Sequence, residues 1–432
     1  MKLLPLAVGL LLSASPAAAR TVVVTADHMI DVIEGRVVDA PLVVITDGRI
    51  ESVVAGRDAP MPPLPEGAVR IDLPGRTILP GLIDMHVHLD ANPRYGGHSS
   101  LQFTDMFWTV QGVANARAML HAGFTTVRNI GSDHFSDVAY KQAVEEGLME
   151  GPRIVPAAHA LSATGGHCDQ TYLPPSFGAV APGVADGEVE LRKRVREQRK
   201  YGAEVIKVCA TGGVFSRNTE PGQQQLSEAE LRAVAEEAHQ WGLKVAAHAH
   251  GADGIKAAIR AGIDTIEHAS LIDDEGIRLA RQHGTWLAMD IFNTEYTQAE
   301  GRRNGVLEDN LRKDREIAQI QRDNFRKAHA AGAKIVFATD AGVMPHATAA
   351  GQFRIMTQYG MTPMEAIQAA TRNAAQALGR ERDVGAIAVG RYGDIIAVDG
   401  DPLADIRELE DVDVVIKGGE VAKGDLSGAG RS

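Results

Sequence analysis

Eight short apolar runs, each followed by a helical stretch, constrain this chain more than any other feature of its sequence. The runs are 77–88, 124–130, 152–159, 204–210, 243–250, 265–270, 285–292 and 334–340. Amphipathic helical stretches separate them at 105–122, 137–149, 186–201, 227–241, 252–262, 273–283 and 307–332, and two more, 350–359 and 363–378, follow the last run. Ser227 with Glu230 is a capping-box start for one of these helices. Strand–helix alternation builds a parallel sheet, and eight such units close into a (β/α)8 TIM barrel of class α/β; a doubly wound open sheet is the second arrangement. Such a barrel takes about 250 residues. The 432 residues therefore leave room for a second unit, and 44% apolar content is ample for its core.

Both ends of the chain supply that unit. Thr21–Val24, Leu42–Ile45 and Ile50–Val54 are short β-rich runs, and Asp47-Gly48 between the last two is a hairpin signal. A Pro-rich loop follows at 60–66. The same texture returns at Asp394–Val398 and Val412–Ile416, with Lys417-Gly418-Gly419 as a turn. We therefore expect a small composite β-sandwich domain from 20–77 plus 385–432, around a barrel at 78–384.

Residues 1–19 read as a secretory signal peptide: Lys2 is the charged start, Leu3 to Leu12 the apolar stretch and Ala17-Ala18-Ala19 the small-residue cleavage site. The apolar stretch is too short to span a bilayer, and no later segment is long and apolar enough for a membrane helix. The mature protein is expected to begin near Arg20, to be exported to the periplasm or secreted, and to have no membrane partner. A net charge of −12, from 44 Lys+Arg against 56 Asp+Glu, with no basic run, argues against nucleic acid as a partner. Two cysteines, Cys168 and Cys209, exclude a disulfide framework. Two independent thiols are the simpler expectation; one bond between them is the other, since both fall near the barrel mouth.

Active groups of a barrel sit at the C-terminal ends of its strands. His86 and His88 end the first run, two apart, so both imidazoles share one face of a strand. Such a pair is half of a metal site. His248 ends the fifth run, His268 the sixth and Asp340 the eighth. His250 shares the strand face of His248; being nearer Gly251 it is expected higher, where it meets substrate, with the exchange of the two roles as the alternative. Lys207 lies in the fourth, inside Val205-Ile206-Lys207-Val208. A buried lysine is costly as a cation, so its pKa falls. The neutral amine can then add CO2 to give a carbamate, an oxygen ligand able to bridge two metals. The long stretches 160–184 and 212–226, after the third and fourth runs, are expected to overhang the mouth. They carry His167, Tyr172 and Arg217; His250, Arg217 or His346 is expected to hold a substrate carboxylate.

This pattern resembles the amidohydrolase superfamily: His-x-His on strand 1, Lys207 on strand 4, His248 on strand 5, His268 on strand 6 and Asp340 on strand 8. Within it the chain is similar to the imidazolonepropionase-related branch, which includes metal-dependent Xaa-Pro dipeptidases and ochratoxin A-hydrolysing amidohydrolases. The resembling segments are Pro80–His88, Ala163-Thr164-Gly165-Gly166-His167, Ile206–Gly213, Ala247-His248-Ala249-His250-Gly251 and Thr339-Asp340-Ala341-Gly342. The stretch Arg94-Tyr95-Gly96-Gly97 leans the resemblance towards the ochratoxin-hydrolysing type. It implies two divalent metal ions, usually zinc, bridged by carboxylated Lys207; His86, His88 and Asp340 would hold one, His248 and His268 the other. It also implies a homo-oligomer. Lys207 sets the chain apart from imidazolonepropionase itself and from mononuclear deaminases, which lack the bridge.

Two such metals hold a bridging water as hydroxide near neutral pH. The expected function is hydrolysis of an amide or peptide bond to a C-terminal amino acid, in an N-acyl amino acid such as ochratoxin A or an Xaa-Pro-type dipeptide. Asp340 would take the hydroxide proton and pass it to the leaving amine. A phosphotriesterase or lactonase on the same centre is the alternative. A binding protein with a degenerate barrel would lack ligands, and none is missing.

Overall fold

A computed structural model describes residues 20–56 and 62–424. The expected signal peptide lies outside the described residues. Eight parallel strands occur in the expected order: β1 Leu82–Val87, β2 Phe124–Asn129, β3 Arg153–Pro156, β4 Val205–Cys209, β5 Lys244–Ala249, β6 Thr265–His268, β7 Trp286–Ala288 and β8 Ile335–Val336. Strands β1–β3 pair as one run and β4–β8 as another. Two parallel bridges join the runs into a ring. Leu161 pairs with Val208 between the segment after β3 and β4, and Val87 pairs with Ala341 between β1 and the segment after β8. The second junction carries a hydrogen bond from the Asp340 N–H to the His86 carbonyl at 2.9 Å. The closed barrel, rather than the open sheet, is what the chain forms.

Helices cover the barrel as the alternation demands, among them Asp105–His121, Glu188–Lys200, Glu228–Gln240, Ala252–Ala261, Asp274–His283 and the long Glu308–Ala330. The Ser227–Glu230 capping box is formed in both directions, satisfying two otherwise orphaned N–H groups at a helix start. Between strands and helices lies one continuous apolar core, containing Leu82, Val127, Ile206, Val245, Ile266, Leu287 and Phe337. Phe337 packs on both Phe124 and Phe353, with centroids 5.4 and 4.4 Å away. Burying one such ring contributes about 1.5–3 kcal/mol.

The two ends of the chain form one eight-stranded sheet. Its order runs Glu420–Lys423, Val414–Lys417, Ile395–Asp399, Val69–Pro80, Thr21–Asp31, Pro41–Thr46 and Arg49–Ala55, with Arg36–Asp39 added on Thr21–Asp31. Asp47 and Gly48 both have positive φ, 48° and 79°, and join strands in register Thr46 to Arg49. Two consecutive left-handed residues are what a tight hairpin matching strand twist requires, and Gly meets that at no steric cost. Val69–Pro80 leads through Gly81 straight into β1, so the sheet holds the strand that carries His86 and His88. Arg153 of β3 reaches back to Asp394 at 2.9 Å, and Arg49 and Arg153 lie on opposite sequence segments against the same Tyr392 ring.

Candidate active site

A cavity of about 640 Å³ opens at the C-terminal ends of the strands, lined by His86, His88, Lys207, His248, His268 and Asp340. All six residues expected as ligands therefore face one space. Their donor atoms fall into two groups. His86, His88 and Asp340 form one; His248, His250 and His268 form the other; His268, Asp290 and Asp340 connect the two. His86 and His88 have ring centroids 5.3 Å apart, and His86 lies 4.9 Å from His268. Lys207 is 3% exposed. Burial lowers its pKa to about 8, against the attraction of Glu267 and Asp340.

Three of the expected ligand rings have one nitrogen hydrogen-bonded back, and the fourth, His86, has one beside a carboxylate. His88 Nδ1–H donates to the Gly131 carbonyl at 3.1 Å, a close approach that the absent side chain of Gly131 permits. His248 Nε2–H donates to the Gly212 carbonyl at 3.2 Å, and His268 Nδ1–H to Asp290 at 2.9 Å. His86 Nδ1 lies 3.1 Å from Glu267 Oε2, leaving Nε2 beside Asp340 at 3.3 Å. An acceptor on one ring nitrogen fixes the tautomer and leaves the lone pair on the other for a metal. Four imidazoles, a carboxylate and a lysine able to become an oxygen ligand suit zinc and its divalent neighbours. The donor groups thus fit a divalent metal ion.

The electrostatics agree with that use. Burial pulls His88 down to about 4 and His268 to about 3, and pulls His248 and His250 well below the usual range, so all four are neutral near pH 7. Burial alone would raise Asp340, but His86 and His88 outweigh it and hold the carboxylate well below its ordinary range. His268 has φ 66°, Ala269 φ 48° and Asp340 φ 57°. Non-glycine residues in this left-handed region cost roughly 1–3 kcal/mol each and persist where surrounding structure fixes them.

The residues expected to meet substrate divide. His167 and His250 line the cavity. His167 is stacked on His248 with centroids 4.1 Å apart, and its Nδ1 bonds Ser216 Oγ at 2.8 Å. His250 is stacked on His268 at 4.6 Å and held by Ser270 Oγ at 2.8 Å. Arg217 is exposed and outside the cavity lining. His346 is buried behind His88, with Nε2–H donating to the His88 carbonyl at 3.1 Å. Tyr172 bonds Asn310 Oδ1 at 3.2 Å.

One expectation is corrected. Cys168 and Cys209 are not independent thiols but a disulfide, with Cα atoms 6.2 Å apart. The loop after β3 folds back along the end of β4, bringing residues 41 apart in sequence together.

Four site residues had no assignment in the sequence reading. Asp290 orients His268 and is pushed up to about 7, first by burial and then by Asp340. It follows the apolar run Trp286–Met289, so the rule that picks Asp340 also picks it. Glu267 sits beneath His86 and pairs with Arg128 at 2.7 Å. Arg128, fully buried on β2, also donates to the Met85 carbonyl and Thr265 Oγ1, tying β1 and β6 together under the site. Asp84 accepts from the His86 N–H and from Thr339 Oγ1, linking the two strands that deliver His86 and Asp340. Charges inside apolar runs were the available signal for all three.

Residues 77–422 match the amidohydrolase family. The chain belongs to the amidohydrolase family. It is 33% identical over 373 residues to ochratoxinase of Aspergillus niger, covering 80% of this chain and 76% of that protein. It is 25% identical over 399 residues to an imidazolonepropionase of Chromobacterium violaceum, covering 82% and 84%. A crystal structure of a Xaa-Pro dipeptidase with methionine bound in the active site superposes with a TM-score of 0.87 at 34% identity, covering 94% of this chain and 100% of that one. This amidohydrolase is an enzyme, a hydrolase acting on C–N amide bonds.

Proposed function

We propose that this amidohydrolase is binuclear and cleaves the amide bond to a C-terminal amino acid, in N-acyl amino acids such as ochratoxin A or in Xaa-Pro-type dipeptides. The observation that carries the reading is the pairing of two donor groups in one cavity that the buried Lys207 also lines. His86, His88 and Asp340 would hold one divalent cation and His248 and His268 the other, with Lys207 bridging as a carbamate; zinc suits the set. When bound, such ions supply an activated water and polarise a carbonyl.

The chain's own groups do the rest. Asp340, kept ionised chiefly by His86, accepts a proton and returns it to the leaving nitrogen, which is too basic to depart as an anion. His250 and His167, neutral and on the cavity wall, present ring N–H groups to the substrate's polar atoms. Burial keeps His167 neutral, at about 3. Asp290 keeps His268 in one tautomer. The composite sheet, folded over its own core of Val22, Ile45, Ile71, Ile395 and Ile416, would be the sandwich that anchors β1. Export after removal of residues 1–19, to the periplasm or outside, and a homo-oligomeric state belong to the same reading.

Liquid chromatography of metal-loaded enzyme against dipeptides and N-acyl amino acids, beside paraoxon-like esters and lactones, tests it. Release of free amino acids supports the reading. Turnover of esters or lactones alone would replace it with a phosphotriesterase or lactonase.

A further inference from the structure

The long helix Glu308–Ala330 carries a lysine that the chemistry does not use. Lys313 is 1% exposed. Its Nζ donates to the Ser216 carbonyl at 2.7 Å and lies 3.0 Å from Asp309 Oδ2. Hiding a cation is costly unless it is bonded, and here one partner, Asp309, lies on its own helix and the other in the loop after β4. The same helix reaches that loop twice more. Asn310 Nδ2 donates to the Val214 carbonyl at 2.5 Å, and Arg312 pairs with Glu220 at 2.8 Å. Asn310 Oδ1 also accepts from Tyr172 of the loop after β3.

What the lysine holds matters for the site. Ser216 accepts from Lys313 through its carbonyl while its hydroxyl contacts His167 Nδ1 at 2.8 Å. His167 lies flat on His248, 4.1 Å away at 21°. Val214, an anchor point, and Phe215, between it and Ser216, line the cavity. Gly213 passes so close beneath His167 that an added Cβ would meet its ring at 2.3 Å, so the loop and the ring fit in one arrangement.

We propose that Lys313 is a positioning residue for substrate binding: it latches the loop after β4 to the helix and thereby sets His167 and the Val214–Phe215 wall. The proposal rests on the hydrolase reading above for its kinetic arm only. A loop freed from the latch would still leave the six expected ligands on their strands, so the loss should appear in substrate binding rather than in metal content.

The experiment compares metal-loaded wild type with Lys313→Met and Lys313→Arg, by hydrogen exchange of the 212–219 and 163–172 peptides and by kinetics on the best wild-type substrate. Lys313→Met should speed exchange in these peptides about tenfold, with β5 peptides unchanged. It should raise KM about tenfold with kcat within about twofold and metal content unaltered. Lys313→Arg, which keeps donors, should recover part of both. Should Lys313→Met fail to fold, Asn310→Asp removes the donor to Val214 while keeping an acceptor for Tyr172, and predicts the same pattern more weakly. Wild-type exchange and wild-type KM in both Lys313→Met and Asn310→Asp would overturn the latch, as would loss of kcat and metal with KM unchanged. A wild type without hydrolase activity would sink the functional reading alone, since the exchange arm still decides the latch.

Discussion

The two halves of the site are built from different materials. At the β1/β8 pole, His86 and His88 meet Asp340, with Glu267 and the buried Arg128 beneath them. Opposite charges from barrel strands set that half, and they hold Asp340 ionised. At the β5/β6 pole, His250 stacks on His268 and His248 on His167, His248 meets His268 edge-on, and two of the rings are tied to the neutral Gly212 carbonyl and Ser270 hydroxyl. That half depends on segments after the strands. The first pole should therefore tolerate loop changes, and at the second such changes should reach the substrate-facing rings, His167 first, before the strand-borne ligands His248 and His268.

Lys207 lines the cavity that both poles share and is the proposed bridge between them, so its loss should give the largest effect. Lys207→Ala should abolish turnover and lower bound metal from about two per chain towards one or none. Full metal and full turnover in that variant would show that the poles do not share a bridge.

Asp290→Asn acts first on His268 and, through the His268, Asp290 and Asp340 group, reaches the first pole as well. Metal affinity or activity should fall about 10–100-fold, the usual loss when a ligand's outer partner is removed. The same variant separates the Asp290 carboxyl from the histidines by pH in chelated protein. His88 at about 4 and His268 at about 3, against 6.5 when free, favour the neutral form in the fold. Their contribution to stability is complete above 6.5 and is lost as pH falls towards 4. Asp290, raised from 3.8 to about 7, has the opposite sign: its contribution is complete below 3.8 and is lost as pH rises through 7. Chelated Asp290→Asn should thus gain stability relative to chelated wild type from pH 4 to 8, measured by urea denaturation.

Reducing the Cys168–Cys209 bond loosens the loop that carries His167. Closing a chain segment of this length contributes about 4 kcal/mol on the loop-entropy estimate. A lower unfolding midpoint is expected, with KM rising before metal is lost. The smallest effect belongs to Arg217→Ala: an exposed side chain outside the cavity should leave kcat/KM within about twofold and stability within about 0.5 kcal/mol.

The same contrast explains what could be read in advance. The strands were legible because each is a short apolar run bounded by turns, and His86, His88, Lys207, His248, His268 and Asp340 stand at or near the ends of such runs. Asp290 was equally legible by that rule and went unassigned. Arg128 and Glu267 were not, because their meaning lies in a pairing across the barrel between β2 and β6. The loops were least legible. Nothing local distinguishes Arg217, which faces solvent, from His167, which stacks on His248, and the disulfide needed the return path of the loop after β3.

The central claim is that the two poles hold a pair of divalent cations around Lys207. Elemental analysis of purified, active enzyme tests it most directly. The account predicts about two transition-metal ions per chain, with activity lost on chelation and restored by divalent metal. Full activity in protein that carries no transition metal would contradict it.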